Sequence, residues 1–243
     1  MNKIAIITGG SKGIGNALAL EYKTKGYFVY SLARSKADNL ESEEQFICDL
    51  SNPEEIELIL KKILNSIEKL NPSKIVLINN AGTLGQINRI ENIDYKDIMS
   101  SVNLNLIAPM ILSSLFIRET KSWNCTRKII NISSGAAVNS YYGWSVYCAT
   151  KSAVDSFTKV IAVEQEMEGN PVKIIAIYPG VVDTNMQTEI RSKSKEEFSN
   201  IKRFIELKEN NELSNPKETA EKIYKIDQDI SIENGAVLDV RNV

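Results

Sequence analysis

The chain has 243 residues, 43% of them hydrophobic, and its 29 basic residues nearly balance 31 acidic ones. This length suits one large α/β domain, and the balanced charge predicts neither a nucleic-acid surface nor a membrane surface. The sequence contains no histidine. That absence excludes Ser-His-Asp hydrolysis, Cys-His proteolysis and most zinc sites, so we expect no metal in the function.

The cysteines and the N-terminus indicate where the protein works. Cys48, Cys125 and Cys148 are widely spaced, odd in number and form no C-x-x-C pair, which is typical of reduced thiols. Residues 1–3 lead directly into an apolar strand, so no signal peptide is predicted, and no apolar run reaches membrane length. We therefore expect a cytoplasmic protein.

The first motif is a glycine-rich turn between a strand and a helix. Residues 3–8 (K-I-A-I-I-T) form a short apolar run typical of a strand buried on both faces, and residues 16–25 are predicted to be helical. In this context a dinucleotide pyrophosphate binds backbone N–H groups at the helix N-terminus, and glycines permit the close approach. The candidate cofactor residues are Thr8, Gly9, Ser11, Lys12, Gly13, Ile14 and Gly15.

The end of the second predicted strand, 27–32, bears on the choice of nicotinamide cofactor. An NAD site usually has an acidic residue here for the ribose 2′-hydroxyl, whereas an arginine accommodates the 2′-phosphate of NADP. The residues present are Ala33, Arg34 and Ser35, with no acid among them. We therefore predict NADP(H), with Arg34 and Ser35 as further cofactor residues.

Strand and helix patterns alternate along the rest of the chain. Further strands are predicted at 45–48, 74–78, 128–132, 172–177 and 236–240. Helices are predicted from about 51, over 95–118, through Tyr147 to about 168, and over 216–226. This alternation predicts an α/β fold, a Rossmann-like doubly wound parallel sheet of about seven strands with helices on both faces, as a single domain over 1–243.

Tyr147 and Lys151 are the strongest candidates for proton chemistry. They are four residues apart and so share one face of the predicted helix. A phenol has a reference pKa of about 10, and a fixed ammonium beside it would lower that pKa towards working pH. The pair could therefore exchange a proton with a substrate.

Together, the T-G-x-x-x-G-x-G turn, Asn79-Asn80-Ala81-Gly82, Ser133-Ser134 and Tyr147-x-x-x-Lys151 resemble the short-chain dehydrogenase/reductase family over nearly the whole chain. In that family a serine lies 13 residues before the tyrosine, a position that Ser134 occupies here. An asparagine completes the catalytic set, and Asn105 matches its N-L-x-G segment best, with Asn103 in reserve. Ala108 departs from the usual glycine of that segment.

The resemblance also implies further cofactor contacts and a second cation, Lys12, for the 2′-phosphate. Additional cofactor residues would be Asp49, Leu50, Asn80, Ala81, Gly82, Pro179, Gly180, Val182 and Thr184, together with Tyr147 and Lys151. The polar segment 185–213 lies where the family has a mobile substrate lid. The two long helices before and after Ser134 would pair in a homodimer, or in a homotetramer.

The residues around Tyr147 suggest a substrate class. Tyr141-Tyr142-Gly143-Trp144 resembles a segment of sepiapterin reductases, with packing as the alternative reading. The runs 179–187, 190–192 and 239–242 resemble bacterial benzil reductases more closely. The predicted substrate residues are Ser134, Trp144, Tyr147 and Asp239, the last at the position where sepiapterin reductases anchor a pterin.

These features predict an NADPH-dependent carbonyl reductase that reduces one ketone of an α-dicarbonyl, a benzil-like aryl diketone, to an (S)-hydroxyketone. A sepiapterin-type pterin reductase is the alternative, followed by a 3-oxoacyl-carrier-protein reductase. The alternative from another class is an NADP-sensing regulator on the same fold, which an intact Ser134, Tyr147 and Lys151 set disfavours.

Overall fold

A computed structural model describes residues 2–41 and 44–242. Seven strands form one sheet in the order β3-β2-β1-β4-β5-β6-β7, and every neighbouring pair is parallel. The strands are β1 Asn2–Thr8, β2 Tyr27–Ala33, β3 Gln45–Ile47, β4 Pro72–Asn79, β5 Thr126–Ile132, β6 Lys173–Tyr178 and β7 Val237–Asp239. This confirms the predicted Rossmann-like parallel sheet.

Eight α-helices surround the sheet in the described part of the chain. They are α1 Gly13–Thr24, α2 Pro53–Glu68, α3 Tyr95–Val102, α4 Ala108–Glu119, α5 Ser145–Glu166, α6 Asn185–Arg191, α7 Ile201–Glu209 and α8 Pro216–Gln228. The helix predicted from about residue 51 is α2, and its apolar residues form one buried face. It begins with Asn52 accepting a hydrogen bond from the Glu54 N–H and with Pro53 in its first turn.

Alternate residues of β1 enter two separate cores, one on each face of the sheet. Ile4 and Ile6 pack in the core that α2 and α4 cover. Ala5 and Ile7 pack in the core that α1 and α8 cover. Because side chains of a strand point alternately to opposite faces, a strand buried on both faces reads as a continuous apolar run.

Two helix boundaries differ from the sequence prediction. Helix α1 begins at Gly13 rather than near residue 16. The sequence prediction began the helix too late because Gly13 and Gly15, which lie in its first turn, have low helix propensity. The helix predicted over 95–118 is interrupted at Asn103–Ile107 by a π-helical segment between α3 and α4. Such segments are rare in proteins and frequent at functional sites.

The stretch Tyr95–Glu119, which comprises α3, the π segment and α4, is the one helix among the described residues with the length and apolarity of a membrane span. It packs against α2 and α5 within the domain, and Leu112 and Phe116 contribute to the core. Its apolar composition is therefore accounted for by packing within the domain.

The sheet also determines where a ligand can bind. Strand β1 pairs with β2 on one side and with β4 on the other, so the order of strands reverses between β1 and β4. In open parallel sheets, ligands bind beyond the carboxyl ends of the strands at this reversal. The glycine turn after β1 and the loop Asn80–Gly82 after β4 both lie there.

Candidate active site

A cavity of about 450 Å³ lies along the carboxyl edge of the sheet. Its walls come from the loops after β1 to β6, from α5, α6 and α7, and from the C-terminal segment after β7. Of the predicted site residues, those in the wall are Gly9, Ser11, Lys12, Gly13, Ile14, Arg34, Ser35, Asp49, Leu50, Asn80, Ala81, Gly82, Ser134, Trp144, Tyr147, Lys151, Pro179, Gly180, Val182 and Thr184. Thr8, Gly15, Asn105 and Asp239 lie outside it.

One end of the cavity has the shape and polarity that a pyrophosphate requires. The turn places Gly9 at φ +70° and Gly13 at φ +56°, a region that favours glycine. The N-cap of α1 is Lys12, whose side chain makes no capping hydrogen bond, so no side chain covers the first N–H groups of the helix. These residues fit the anionic centre of a dinucleotide.

Thr8 and Gly15 support this turn from behind. The Thr8 Oγ1 accepts hydrogen bonds from the N–H groups of Asn80 (2.9 Å) and Ala81 (3.0 Å), which joins the loops after β1 and β4. A Cβ at Gly15 would approach the carbonyl oxygen of Gly9 to 2.2 Å. Both residues therefore position the binding turn without contacting the cavity.

Lys12, Arg34 and Asp49 line one end of the cavity, here called the outer end, and carry charges of both signs. Lys12 and Arg34 are exposed, and neither makes a hydrogen bond or ion pair with another residue of the described ranges 2–41 and 44–242. Asp49 accepts hydrogen bonds from the Ser51 N–H (3.0 Å) and Oγ (2.8 Å), which together with the charge of Arg34 lower its pKa. Two cations are thus available to a ligand at this end.

A buried chain of amides connects the centre of the sheet to α5. The Asn79 side-chain amide donates to Asn131 Oδ1 (2.8 Å), and the Asn131 amide donates to Thr158 Oγ1 (2.8 Å). All three residues are buried. These bonds fix β4, β5 and α5 relative to one another, and hence the elements that carry Ser134, Tyr147 and Lys151.

Ser134, Tyr147 and Lys151 meet in the middle of the cavity wall. Ser134 follows β5, and its side chain acts on the Tyr147 hydroxyl to lower the pKa of the phenol. Lys151 lies one turn further along α5, with its Nζ 5.7 Å from the centre of the Tyr147 ring. The Lys151 Nζ donates a hydrogen bond to the carbonyl of Ile132 (2.8 Å).

The pKa of Tyr147 differs from the sequence expectation. Burial raises the pKa of this phenol to about 12, and Lys151 is not among the groups that shift it. Burial also lowers the pKa of Lys151 to about 8, although the charge of Asp155 opposes that shift. The expected lowering is absent because desolvation dominates and because the Lys151 ammonium is bonded to Ile132 rather than to the phenol oxygen.

The two candidate asparagines occupy different environments. Asn105 is buried in the π segment, where its amide accepts a hydrogen bond from the Thr83 N–H (2.9 Å) and donates to the Thr83 carbonyl (2.8 Å). A Cβ at Gly82 would lie 3.3 Å from Asn105 Oδ1 and 3.7 Å from Lys151 Nζ, so the two side chains are close neighbours. Asn103 instead donates to the carbonyl of Ser51, after β3.

Comparison with known proteins identifies the family. A family model described as short chain dehydrogenase matches residues 3–195. The chain is 40% identical over 246 residues to a benzil reductase ((S)-benzoin forming) of Bacillus cereus, covering 98% of this chain and 99% of that one. It is also 40% identical over 240 residues to the enzyme of the same name from Bacillus subtilis, covering 98% of each. The chain belongs to the short-chain dehydrogenase family.

Other relatives of this short-chain dehydrogenase agree with that assignment. Bovine sepiapterin reductase is 31% identical over 196 residues, covering 79% of this chain and 66% of that one. The solved structure of a short chain dehydrogenase/reductase from Saccharomyces cerevisiae superposes with a TM-score of 0.84 at 26% identity, covering 98% and 96% of the two chains.

Two further solved structures contain a nicotinamide cofactor. ElxO with NADP bound has a TM-score of 0.77 at 27% identity, covering 99% of this chain and 97% of that one. A 4-hydroxyisoleucine dehydrogenase complexed with NADH has a TM-score of 0.75 at 25% identity, covering 98% and 96%. This short-chain dehydrogenase is therefore an oxidoreductase that acts on the CH–OH/C=O couple, of a family that uses NAD(P)(H).

An aromatic cluster lies beside Tyr147 in this dehydrogenase. Trp144, only 6% exposed, stacks on Phe198 with ring centres 4.7 Å apart. It also contacts Tyr141 (4.9 Å) and Phe204 (5.6 Å), and Trp144 itself lines the cavity. Trp144 therefore packs within this cluster and also forms part of the cavity wall, and its contact with substrate stays a prediction.

Asp239, a predicted substrate residue, is engaged by a neighbour. The Arg241 guanidinium donates to both of its carboxylate oxygens, with the Nε at 2.9 and 3.1 Å, and these bonds lower the pKa of Asp239. Arg241, and not Asp239, lines the cavity. The sequence shows both residues, but only the fold of the short turn after β7 shows that Arg241 reaches the cavity and that the aspartate supports it.

Several other wall residues were not predicted from the sequence. They are Tyr178 at the end of β6, Gln187 and Ile190 on α6, and Arg203 and Phe204 on α7. The positions of the last four depend on how segment 185–213 folds back over the sheet. Only the amphipathic pattern of 201–209 could have indicated an inward-facing Phe204.

Proposed function

We propose that this protein is an NADPH-dependent carbonyl reductase that reduces one ketone of an α-dicarbonyl, a benzil-like aryl diketone, to the (S)-hydroxyketone. The observation that carries the proposal is the aromatic cluster beside Tyr147, in a chain 40% identical along nearly its whole length to two benzil reductases. Flat aromatic side chains offer a flat aryl substrate a large contact area.

The proposed catalytic residues divide the work of stabilising the developing alkoxide. The nicotinamide supplies the hydride when bound. Tyr147 holds the proton that goes to the carbonyl oxygen, and its pKa of about 12 keeps the phenol protonated at neutral pH. Ser134 donates a hydrogen bond to the same oxygen. Lys151 provides positive charge beside Tyr147 and would hold the nicotinamide ribose of a bound cofactor.

Asn105 is proposed to complete this set through the segment in which it lies. Its amide is committed to Thr83 and to Thr150 Oγ1 (3.3 Å), so the amide fixes the loop after β4. The π segment Asn103–Ile107 interrupts the i→i+4 hydrogen-bond ladder of the helix. A water bonded to this segment beside Lys151 could return a proton to Tyr147 through the lysine.

A sepiapterin-type pterin reductase is the second candidate, favoured by the 31% identity to bovine sepiapterin reductase. The Asp239–Arg241 pair speaks against it, because a carboxylate held by a guanidinium has less capacity to anchor a pterin. A carrier-protein substrate is disfavoured, because the basic side chains of the lid that would bind it are partly neutralised. Lys193 pairs with Glu197, and Lys202 pairs with Glu206.

The substrate experiment follows NADPH absorbance with benzil, phenylpropanedione, sepiapterin, diacetyl and an acetoacetyl thioester, and analyses the benzoin by chiral chromatography. We expect benzil and phenylpropanedione to give the highest kcat/KM, with (S)-benzoin as the product. Faster turnover of sepiapterin would support the pterin reductase. NADPH binding without turnover of any carbonyl would support the regulator instead.

Trp144→Ala tests the aromatic contact with substrate. Removing an aromatic partner costs about 0.5–1.5 kcal/mol beyond buried area, so kcat/KM for benzil should fall roughly tenfold while that for diacetyl changes little. Tyr142→Ala is the matched control, because Tyr142 is 44% exposed and lies outside the cavity wall. Equal losses for both diketones would mean that Trp144 serves only in packing.

Arg34→Ala tests the preference for NADPH, which we propose from the two cations Lys12 and Arg34 at the outer end of the cavity. Loss of one charge-assisted hydrogen bond costs about 1.5–3 kcal/mol, so KM for NADPH should rise roughly ten- to a hundredfold. KM for NADH should stay nearly unchanged. Lys25→Ala, a surface cation paired with Glu21, controls for general charge effects, and equal losses with both cofactors would contradict the assignment.

We also propose that the chain is a cytoplasmic homodimer whose segment 185–213 closes over substrate. Helix α5 exposes Val160 (53%) and Val163 (63%) on one side, which is a large apolar area for a solvated helix face. Light scattering on the purified protein distinguishes monomer, dimer and tetramer.

An ion pair connects the proposed lid, segment 185–213, to the loop after β6. Lys208 on α7 lies 2.7 Å from Asp183, which precedes α6.

A further inference from the structure

A buried carboxylate lies on α5 one turn beyond the proposed catalytic lysine. Tyr147, Lys151 and Asp155 are spaced four residues apart, so they form one stripe along the helix. Lys151 is 5% exposed and Asp155 is 7% exposed. Charged side chains are rarely buried to this extent unless a partner of opposite charge compensates them.

The surroundings of Lys151 contain few charged groups. Its ammonium donates to the neutral carbonyl of Ile132 in β5, and the π segment contributes the neutral amide of Asn105. Tyr147 on α5 and Tyr178 at the end of β6 are protonated phenols at neutral pH, because burial raises the pKa of each. Among the described residues, Asp155 is the charged group that acts on the pKa of Lys151, and it stabilises the ammonium form.

Tyr178 connects this carboxylate to the cavity. The Tyr178 hydroxyl donates a short hydrogen bond to Asp155 Oδ2, whereas Asp155 Oδ1 is buried with no hydrogen-bond partner in the described ranges. Burial and this bond to Asp155 both raise the pKa of Tyr178, with Asp239 adding a smaller effect, so Tyr178 remains a donor. Tyr178 is part of the cavity wall, directly before Pro179.

We infer that Asp155 is the counter-ion of Lys151 and, with Tyr178 holding its carboxylate, a positioning residue for the catalytic lysine. Its negative charge keeps Lys151 protonated in a site that otherwise favours the neutral amine. The row Tyr147, Lys151, Asp155 and Tyr178 thus extends the site beyond the four residues proposed above. The inference rests on the proposed function only where activity is the readout.

The first test measures Lys151 directly in the cofactor-free protein. Carbon-13 NMR of side-chain-labelled lysine, with Lys151→Met to assign the resonance, should give an apparent pKa near 8 in the wild type. Asp155→Asn keeps the size of the side chain and an acceptor oxygen for Tyr178, but removes the charge. We expect it to lower the pKa of Lys151 by about one unit or more, because a nearby opposite charge typically shifts a pKa by about 1–3 units.

The second test uses the pH profile for reduction of benzil by NADPH. If Lys151 must be protonated, activity falls as pH rises through its pKa, so Asp155→Asn should move this alkaline limb down by about one pH unit. At pH 6 the variant should retain most of its kcat. Asp155→Glu, which keeps the charge, should restore much of the wild-type profile.

Gln165→Leu is the matched control, a buried polar residue of the same helix whose side-chain oxygen accepts a hydrogen bond from the Val172 N–H (2.9 Å). It should lower thermal stability without moving either titration. Should Asp155→Asn not fold, Asp155→Ser removes the same charge and retains a hydroxyl for Tyr178. A neutral variant at position 155 with an unchanged Lys151 titration would overturn the inference. A shifted titration in a protein that reduces no dicarbonyl would overturn only the proposed function.

Discussion

Tyr147→Phe is expected to lower kcat for carbonyl reduction by about 10²–10⁴-fold, the range that general acid catalysis contributes. Phenylalanine preserves the edge-to-face contact with Trp144 (5.6 Å) while removing the proposed proton donor. The pKa of about 12 means that the wild-type phenol carries its proton throughout the neutral range. The measurement is kcat at saturating NADPH and benzil, with NADPH binding followed separately by fluorescence.

The controls separate proton donation from general disturbance of the site. Tyr142→Phe changes an exposed neighbour in the same segment and should have normal activity. Ser134→Ala should cost less than Tyr147→Phe, because one neutral hydrogen-bond donor is lost while the acid remains. A near-normal rate in Tyr147→Phe would show that another group supplies the proton, and the proposed mechanism would be wrong.

Lys151→Met is expected to have two effects, since two roles are proposed for the lysine. Loss of the proposed charge-assisted contact with the ribose should raise KM for NADPH roughly ten- to a hundredfold. The pH profile should also change, because burial lowers the pKa of Lys151 to about 8. The ammonium is present below that pH and lost above it, so wild-type kcat/KM should fall above about pH 8, and this limb should be absent in the variant.

Lys159→Met gives the matched comparison, because Lys159 is an exposed lysine two turns further along α5. It should leave both KM for NADPH and the alkaline limb unchanged. If Lys151→Met instead kept a limb near pH 8, a different group would be responsible for the titration. In that case the assigned charge state of Lys151 would have to be abandoned.

The fold was predictable because its main signals are local. The apolar run of β1, the glycine turn and the stripe of α2 are each contained within about 16 residues or fewer, so each can be recognised from neighbouring residues alone. The alternation of strands and helices predicts a doubly wound parallel sheet, whereas the order β3-β2-β1-β4-β5-β6-β7 is shown by the structure. The π segment was not predictable, because no residue pattern in 103–107 distinguishes it from the helix on either side.

The candidate site was predictable where its residues belong to short motifs. Ser134, Tyr147, Lys151 and the glycine turn were identified from spacing and resemblance, and of the residues predicted in that turn all but Thr8 and Gly15 lie in the cavity wall. Arg241 and Phe204 were missed because they reach the cavity from distant parts of the chain. Their distance from Tyr147 depends on the paths of the C-terminal turn and of α7, which no local pattern encodes.

The sequence by itself determined the sheet, the family and the residue types available for proton and phosphate chemistry, because these depend on periodicity and on short motifs. Only the tertiary structure decided the electrostatics. Burial raises the pKa of Tyr147 where the spacing to Lys151 predicted a decrease, and it lowers the pKa of Lys151. The free energy of an ionised group depends on how much solvent is removed from around it and on which charges lie near it in three dimensions. The contact between Tyr178 and Asp155, for example, forms only when β6 packs against α5.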